Sequence, residues 1–331
     1  MIRKKFDTSQ LQVTHIGLGL AALGRPGYIN LGHAQDLERT YDVDAMELHA
    51  HAVLDTAWKS GIRYFDAARS YGRAEIFLST WLSSRHIDPA EVVVGSKWGY
   101  TYTADWQVEA EKHEIKEHSL DVFQRQLAES RRLLGDYLNI YHIHSATLES
   151  GVLDNQQVLS ALARTRETGL IIGLSLSGPN QSATLRKALA LNFDGKPLFR
   201  SVQATWNLLA REAAGALSEA HSAGMGVIIK EALANGRLTD RNDDPHFAQQ
   251  LRLLATEAEA AGTTIDGLAL AAALAQPWAD VVLSGAAQSV HLLSNVSAQD
   301  VAWTNETESR LAGLVEPAAY YWQRRSELDW N

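Results

Sequence analysis

The sequence contains no cysteine and only 7 prolines and 3 methionines among its 331 residues. The absence of cysteine excludes disulfides, zinc–thiolate sites and a cysteine nucleophile. No apolar run is long enough to span a bilayer, and the basic segment MIRKKFDTSQLQVTH lacks the apolar region of a signal peptide. A net charge of −9 argues against a nucleic-acid or anionic-membrane binder. We therefore expect a cytoplasmic protein.

Short β-rich apolar segments alternate along the chain with segments of helical period. Residues 2–14 alternate around a DTSQ turn, which predicts an N-terminal β-hairpin. Eight strand candidates follow, at 15–19, 63–66, 92–97, 139–144, 171–176, 201–206, 226–231 and 281–285. The segments between them have helical period, and several end on glycine. Such alternation requires parallel strands joined by right-handed crossovers. The prediction is an α/β fold, a (β/α)8 TIM barrel forming a single domain over residues 1–331.

An open doubly wound sheet is the competing fold. Its signature would be the GLGLAALG stretch at residues 17–24, which loosely resembles a dinucleotide-binding fingerprint. No helix pattern opens within it, and no acidic residue ends a second strand at the expected distance. The barrel is therefore favoured. Long irregular stretches at about 21–43 and 98–118 follow strands, which places them on the catalytic face of a barrel.

Polar side chains mark the ends of several predicted strands. Asp66 ends the second strand, Lys97 the third and His144 the fourth, and Tyr71 lies in the loop after the second. Taken singly, Asp66 could be a cap, Lys97 a solvated rim residue and His144 a core histidine. Because strand ends converge at one mouth of a barrel, together they predict a catalytic cluster.

The segment YHIHS also has the H-x-H pattern of metal-dependent barrel hydrolases. His142 and His144 lie two apart on a strand and so point to the same side. Such a site needs further ligands at later strand ends. The fifth and sixth strands supply no histidine and the eighth no aspartate, so we expect no metal site.

Seven motifs in order resemble those of the aldo-keto reductase superfamily: FDAARSYG, GSKWG, YHIHS, GLSLSG, VQATWN, IIKEALANGRL and LSGAAQSVHLLSN. The resemblance runs over essentially the whole chain. It implies a (β/α)8 barrel that binds a nicotinamide cofactor without a Rossmann domain. It further implies an NAD(P)(H)-dependent oxidoreductase that reduces aldehydes or ketones, or oxidises an aldose. Two alternatives stay open, a nicotinamide-binding regulatory subunit with little turnover and a metal-dependent hydrolase.

The resemblance assigns a role to each residue of the cluster. Tyr71 is expected to be the general acid that protonates the carbonyl oxygen, although a free phenol has a pKa near ~10. Lys97 would stabilise the phenolate, and Asp66 would pair with Lys97. His144 would donate a hydrogen bond to the carbonyl oxygen.

Cofactor and substrate contacts follow by the same resemblance. Ser175 and Gln203 match residues that hold the nicotinamide carboxamide, and Trp206 matches an aromatic ring stacked on it. Further positions match the segments along the pyrophosphate and around the adenosine: Glu231, Leu233, Gly236, Gly285, Ala286, Ser289, His291 and Asn295. Ser289 could instead be a helix N-cap. Aromatic residues near the predicted mouth are candidate substrate contacts: Tyr28, Trp98 and Tyr100. The tail YYWQRRSELDW is also placed to fold over this mouth.

Three departures from the family pattern bear on the cofactor. Ser175 is followed by Leu176 where Asn is common, and KEALANG replaces a loop in which Ser-Pro-Leu is frequent. No Lys or Arg lies between Gly285 and Asn295, so His291 is the one potential cation there for a 2′-phosphate. Family frequency nevertheless favours NADP(H), with NAD(H) possible. The expected partner is a small carbonyl or sugar substrate, and the sequence does not indicate an oligomeric state.

Overall fold

A closed barrel of parallel strands forms the centre of the molecule. The computed structural model describes residues 2–6 and 11–331. Within that part of the chain the strands are β1 (Arg3–Lys5), β2 (Gln12–Thr14), β3 (Ile16–Gly19), β4 (Tyr64–Asp66), β5 (Val93–Trp98), β6 (Tyr100–Tyr102), β7 (Glu114–Lys116), β8 (Leu138–Ala146), β9 (Ile171–Leu176), β10 (Asn192–Phe193), β11 (Lys196–Pro197), β12 (Ser201–Thr205), β13 (Gly226–Lys230) and β14 (Val281–Ser284). The barrel order is β3-β4-β5-β8-β9-β12-β13-β14, with β14 pairing back to β3. The predicted (β/α)8 fold is confirmed, and each barrel strand coincides with one of the eight candidates.

Helices cover the outside of the barrel. Within the described residues they are α1 (His33–Asp36), α2 (Val43–Lys59), α3 (Ala74–Ser84), α4 (Leu120–Leu134), α5 (Gln156–Arg166), α6 (Gln181–Leu189), α7 (Ala214–Ser222), α8 (Ala248–Ala260), α9 (Ile265–Leu274), α10 (Ser289–Ser297), α11 (Asn305–Leu311) and α12 (Ala318–Ser326). Short 3₁₀ turns lie at Pro89–Glu91, Gly135–Tyr137, Val152–Asp154, Ala234–Gly236, Pro245–Phe247, Ala298–Asp300 and Ala312–Leu314.

Local sequence explains where the main helices begin. The side chains of Asp42, Ser119 and Thr264 cap α2, α4 and α9 by accepting a hydrogen bond from a first-turn amide. Glycines with positive φ follow α5 and α7, at Gly169 and Gly224, as expected for helix ends. Among the described residues, no helix is sufficiently long and apolar to cross a bilayer.

The N-terminal hairpin closes the end of the barrel where the strands begin. β1 and β2 pair antiparallel, as predicted, although the predicted turn at residues 7–10 lies outside the described residues. Phe6 and Val13 are fully buried against the first inward-facing layer of the barrel. A Cβ atom added to Gly226 would lie 2.3 Å from the Phe6 ring, so the absence of a side chain makes room for this plug.

The two long stretches predicted to be irregular are partly ordered at the other end of the barrel. Residues 21–43 contain α1, and residues 98–118 contain the antiparallel pair β6–β7. Periodicity did not indicate this hairpin because each strand has only three residues. Both segments stand beside the strand ends and form part of the wall of the site.

Candidate active site

The carboxyl ends of the strands open into a cavity of about 620 Å³. Asp66, Tyr71 and His144 lie at one end of it, which we call the catalytic end. The opposite end, which we call the far end, lies after β14 and contains His291 and Asn295. A ligand that filled the cavity would therefore meet different groups at its two ends.

Lys97 connects two of the predicted catalytic residues. Its fully buried ammonium forms an ion pair with Asp66 and donates a hydrogen bond of 3.2 Å to the hydroxyl of Tyr71. The ammonium also donates to the carbonyl of Ala67 at 3.0 Å. All three donors of Lys97 are thus used, which fixes the charge beside the phenol.

Asp66 is held by a second partner, Gln203, whose side-chain amide donates to its Oδ1 at 2.9 Å. Burial raises the pKa of Asp66 above its ordinary value, although the Lys97 ammonium and this hydrogen bond oppose the shift. Gln203 was predicted to hold a cofactor amide. In the structure Gln203 lines the cavity, and its side-chain amide donates one hydrogen bond to Asp66.

His144 faces Tyr71 across the catalytic end. Their rings meet edge to face with centroids 5.5 Å apart, and the Tyr100 ring also packs edge to face on His144, at 4.9 Å. Burial and the neighbouring Lys97 hold the pKa of His144 well below 6.5, so the imidazole is neutral at pH 7. Its Nδ1 lies 3.4 Å from the hydroxyl of Ser70. A Ser70 hydroxyl that donates to Nδ1 leaves the ring proton on Nε2, available to a ligand oxygen.

Tyr71 is protonated at neutral pH because burial raises its pKa well above 10. The Arg25 guanidinium opposes that shift from a position 5.4 Å from the centre of the phenol ring. The cluster therefore combines a proton donor, a cation that can stabilise its conjugate base, and a neutral hydrogen-bond donor.

Most residues predicted to contact cofactor or substrate line this cavity. At the catalytic end these are Tyr28 and Tyr100, along its middle Gln203, Glu231, Leu233 and Gly236, and at the far end Gly285, Ala286, His291 and Asn295. The tail also reaches the cavity, as predicted, through Arg325, Ser326, Leu328 and Trp330.

Two predicted serine contacts are used elsewhere. The hydroxyl of Ser175 accepts a hydrogen bond of 2.8 Å from the amide of Ser145, whose φ of 53° is unusual for a residue other than glycine. Ser175 therefore supports the backbone next to His144. Ser289 bonds the hydroxyl of Thr56 on α2 at 2.9 Å and does not line the cavity.

Two predicted tryptophan contacts also face away from the cavity. Trp98 is fully buried and packs edge to face on Phe123, with centroids 4.9 Å apart. Trp206 is 2% exposed and packs on Trp278 in the shell outside the barrel. Neither lines the cavity, so its geometry does not support stacking of Trp206 on a cofactor or contact of Trp98 with a substrate.

Lys230 is a cavity residue that the sequence did not single out. It ends β13, and its ammonium donates to the hydroxyl of Thr205 at 2.7 Å. Burial lowers the pKa of Lys230 to about 8. The next residue, Glu231, has a φ of 56° and accepts hydrogen bonds from Arg325 and Thr205. Burial would raise the pKa of Glu231, but Arg325 and Lys230 lower it to about 2.

The far end contains an ion pair that the sequence also did not reveal. Arg241 binds both carboxylate oxygens of Asp36, at 2.5 and 2.9 Å. The ring of His291 lies beside both, 3.4 Å from Arg241 and 3.7 Å from Asp36. Asp36 and Arg241 come from α1 and from the loop after β13, so only the fold brings them to His291.

His142, the first histidine of the H-x-H pair, does not join the site. His142 is fully buried, and its Nε2 lies 2.9 Å from the hydroxyl of Ser201. Across residues 2–6 and 11–331, no group of three or more His, Asp or Glu side chains could hold a metal ion.

Comparison with known proteins relates this chain to a family. The model of the Aldo/keto reductase family matches residues 15–316. The chain is 23% identical over 327 residues to the uncharacterized oxidoreductase YqkF of Bacillus subtilis, covering 93% of this chain and 94% of that protein. It is 25% identical over 315 residues to the L-glyceraldehyde 3-phosphate reductase of Escherichia coli O157:H7, covering 85% of each.

A solved structure shares the fold. The aldo-keto reductase AKR11C1 from Bacillus halodurans, in its holo form, superposes with a TM-score of 0.73 at 20% identity. The alignment covers 97% of this chain and 98% of that one.

Proposed function

The chain belongs to the aldo/keto reductase family and is an oxidoreductase, and we propose that it reduces a carbonyl compound with Tyr71 as the proton donor. The observation that carries this proposal is the hydrogen-bonded series from Asp66 through Lys97 to Tyr71, with His144 facing the phenol. General acid catalysis needs the donor protonated and its conjugate base stabilised, and these contacts meet both needs.

The cavity residues fit the nicotinamide cofactor that the family uses. One wall of the cavity offers an unused acceptor, since the buried Oδ1 of Asn235 has no partner among the described residues. Gln203 would contact the end of the ligand nearest Asp66, Leu233 and Gly236 its middle, and Asn295 its far end. Bound there, the cofactor supplies the hydride.

The chain's own residues then handle the proton. His144 donates a hydrogen bond from Nε2 to the carbonyl oxygen and holds it beside the phenol. Tyr71 gives its hydroxyl proton to that oxygen as the carbonyl carbon is reduced. The Lys97 ammonium stabilises the resulting phenolate, and Asp66 keeps the ammonium in place. Solvent returns the proton to Tyr71 before the next cycle.

The choice between NADP(H) and NAD(H) depends on Arg241. It supplies the guanidinium that the segment from Gly285 to Asn295 lacks, so the sequence-based preference for NADP(H) has a candidate partner for the 2′-phosphate. Asp36 competes for that guanidinium with a bidentate ion pair. We expect binding of the 2′-phosphate to require that Arg241 leaves Asp36, which reduces discrimination between the two cofactors.

The test compares Tyr71→Phe with Tyr102→Phe, a control that removes a hydroxyl outside the cavity. Binding of NADH and NADPH is followed by calorimetry, and turnover by loss of the reduced cofactor with a panel of aldehydes and ketones. We expect Tyr71→Phe to reduce turnover by about 10²–10⁴-fold and to leave cofactor binding unchanged.

The outcomes separate the alternatives. Unchanged turnover in Tyr71→Phe would remove Tyr71 as the acid. Binding of cofactor by the unmodified chain without turnover of any carbonyl would favour the regulatory subunit. Binding of neither cofactor would refute the proposed function.

A further inference from the structure

The catalytic end of the cavity carries more positive than negative charge. Its ionic residues are Arg25, Lys97, Lys230 and Arg325 against Asp66, Glu114 and Glu231. Three ion pairs account for six of these groups: Lys97 with Asp66, Arg25 with Glu114 at 3.0 Å, and Arg325 with Glu231 at 2.5 Å. The remaining cation, Lys230, bonds the neutral hydroxyl of Thr205 and lies 3.6 Å from the already paired Glu231.

Arg25 is a buried guanidinium whose donors are only partly used. The residue is 3% exposed, and Nη1 donates to the carbonyl of Ser70 at 3.1 Å and to Glu114. Among the described residues, Nη2 makes no hydrogen bond and the buried Nε has no partner. A buried donor without an acceptor is costly, and the planar edge of a guanidinium fits the two oxygens of a carboxylate or phosphate.

Arg25 lies close to the residues that would hold the reacting carbonyl group. The guanidinium lies over the ring of Tyr71 at 5.4 Å and over that of Tyr28 at 5.1 Å. An anion bound to Arg25 is therefore close to a carbonyl oxygen held by Tyr71 and His144. That separation favours a short substrate.

We propose that the substrate is a short aldehyde or ketone with an anionic group, a carboxylate or a phosphate, which Arg25 and Lys230 bind. The inference rests on the proposed function, since it assumes that the carbonyl lies at Tyr71. Arg25 supplies the forked hydrogen bonds and Lys230 an unmatched point charge. The aromatic rings of Tyr28 and Tyr100 cover the short carbon chain between the two groups.

The test uses matched pairs of substrates. Butanal is compared with 4-oxobutanoate for the carboxylate, and glycolaldehyde with glycolaldehyde phosphate for the phosphate. With the unmodified chain, we expect the anionic member of at least one pair to have a kcat/KM about 10–100-fold higher, the range that one charge-assisted hydrogen bond provides. The pair that shows the advantage identifies the anion.

Three variants test which residues cause the preference for the anionic substrate. Arg25→Met and Lys230→Met should each remove most of the advantage of the anionic substrate by raising its KM, with a smaller effect on the neutral substrate. Glu114 is 24% exposed on its side chain, so loss of Arg25 does not strand a buried charge. Arg85→Met is the control, because it deletes an equal charge from an exposed ion pair with Asp55 outside this cavity.

Inhibition by free anions, which carry no carbonyl group, completes the test. Inorganic phosphate and acetate should inhibit competitively against the neutral aldehyde, and inhibition by the preferred anion should weaken about tenfold in Arg25→Met. Equal kcat/KM for both members of both pairs, or an advantage that survives both site variants, would overturn the inference while leaving the proposed function intact. Absence of turnover with every carbonyl would instead refute the proposed function.

Discussion

The two ends of the barrel are built from the same eight strands but have opposite character. Where the strands begin, the inward side chains are apolar, and Phe6 and Val13 of the hairpin close the interior. Where they end, the inward side chains include Asp66, Lys97 and Lys230, and the interior opens into the cavity. The closed end thus contributes apolar packing, and the proposed chemistry belongs to the open end. Variants at each end can test this division.

The largest effect is expected from Lys97→Met, which should affect both properties. Turnover should fall at least as far as in Tyr71→Phe because the phenolate loses its cation. The free energy of unfolding should also fall by about 3–5 kcal/mol because Asp66 stays buried without its ion-pair partner. Chemical denaturation and initial rates measure the two losses.

The double variant Lys97→Met/Asp66→Asn is the control for this result. It should recover part of the stability and none of the turnover. A single variant as stable as the unmodified chain would show that the open end contributes nothing to stability through this pair.

Phe6→Ala tests the closed end. Removal of a fully buried phenyl ring should lower the free energy of unfolding by about 3–5 kcal/mol and leave kcat/KM within about twofold. Phe193→Ala, at a half-buried position of the mostly exposed β10–β11 hairpin, should cost clearly less. A large change in kcat/KM for Phe6→Ala would mean that the two ends are coupled.

Lys230→Met tests whether the open end carries a group that destabilises the fold. In the folded chain the pKa of Lys230 is about 8, against 10.5 when exposed. At pH 7 the ammonium is charged in both states, and its burial lowers stability by about 1–2 kcal/mol, allowing for its partial solvent contact. We therefore expect Lys230→Met to be the more stable chain at pH 7.

The sign of the pH dependence follows from the same values. Between pH 8 and 10.5 the unfolded chain binds more protons at this residue than the folded one, so the unmodified chain gains stability as pH rises. The difference in melting temperature between the two chains should shrink over this range. A difference that stays constant would show that Lys230 is not desolvated.

The smallest effect is expected from Asp36→Asn at the far end of the cavity. It should release Arg241 and tighten binding of 2′,5′-ADP about tenfold, with binding of 5′-AMP unchanged. Calorimetry measures both nucleotides without turnover. Asp240→Asn, which changes an exposed carboxylate at the same end, should have a much smaller effect. Equal effects of the two variants would point to general electrostatics.

The sequence predicted the barrel and the grouping of Asp66, Lys97 and His144 because both follow from local pattern. Strand and helix periods located all eight barrel strands, and convergence of strand ends brought Asp66, Lys97 and His144 together. The alternation of side-chain direction along a strand also predicts which residues point into the barrel and which point outward. If Lys97 points inward then Trp98 points outward, and the same parity turns Trp206 outward when Gln203 points inward. It also places Lys230 inside, two residues after Ile228.

Other parts of the site depend on contacts that no local pattern records. Arg25 and Asp36 lie in the long segment 21–43, and Arg241 follows a different strand, so their positions depend on how these segments pack over the barrel. Ser175 and Ser289 matched family positions, but neighbouring groups, the amide of Ser145 and the hydroxyl of Thr56, bind their hydroxyls. Hydrogen bonds of this kind join residues that are far apart in the sequence, so they can be recognised only in the folded structure.

The cavity wall has a kinetic consequence, because it joins segments that are far apart along the chain. Asn331 accepts a hydrogen bond from the amide of Ala34, 297 positions away, and its own side chain donates to the carbonyl of Asn30. Contacts of such long separation are expected to form late in folding, after the barrel has closed. A ligand enclosed by this wall would then bind only the finished structure. Added cofactor should therefore slow unfolding while leaving the refolding rate unchanged.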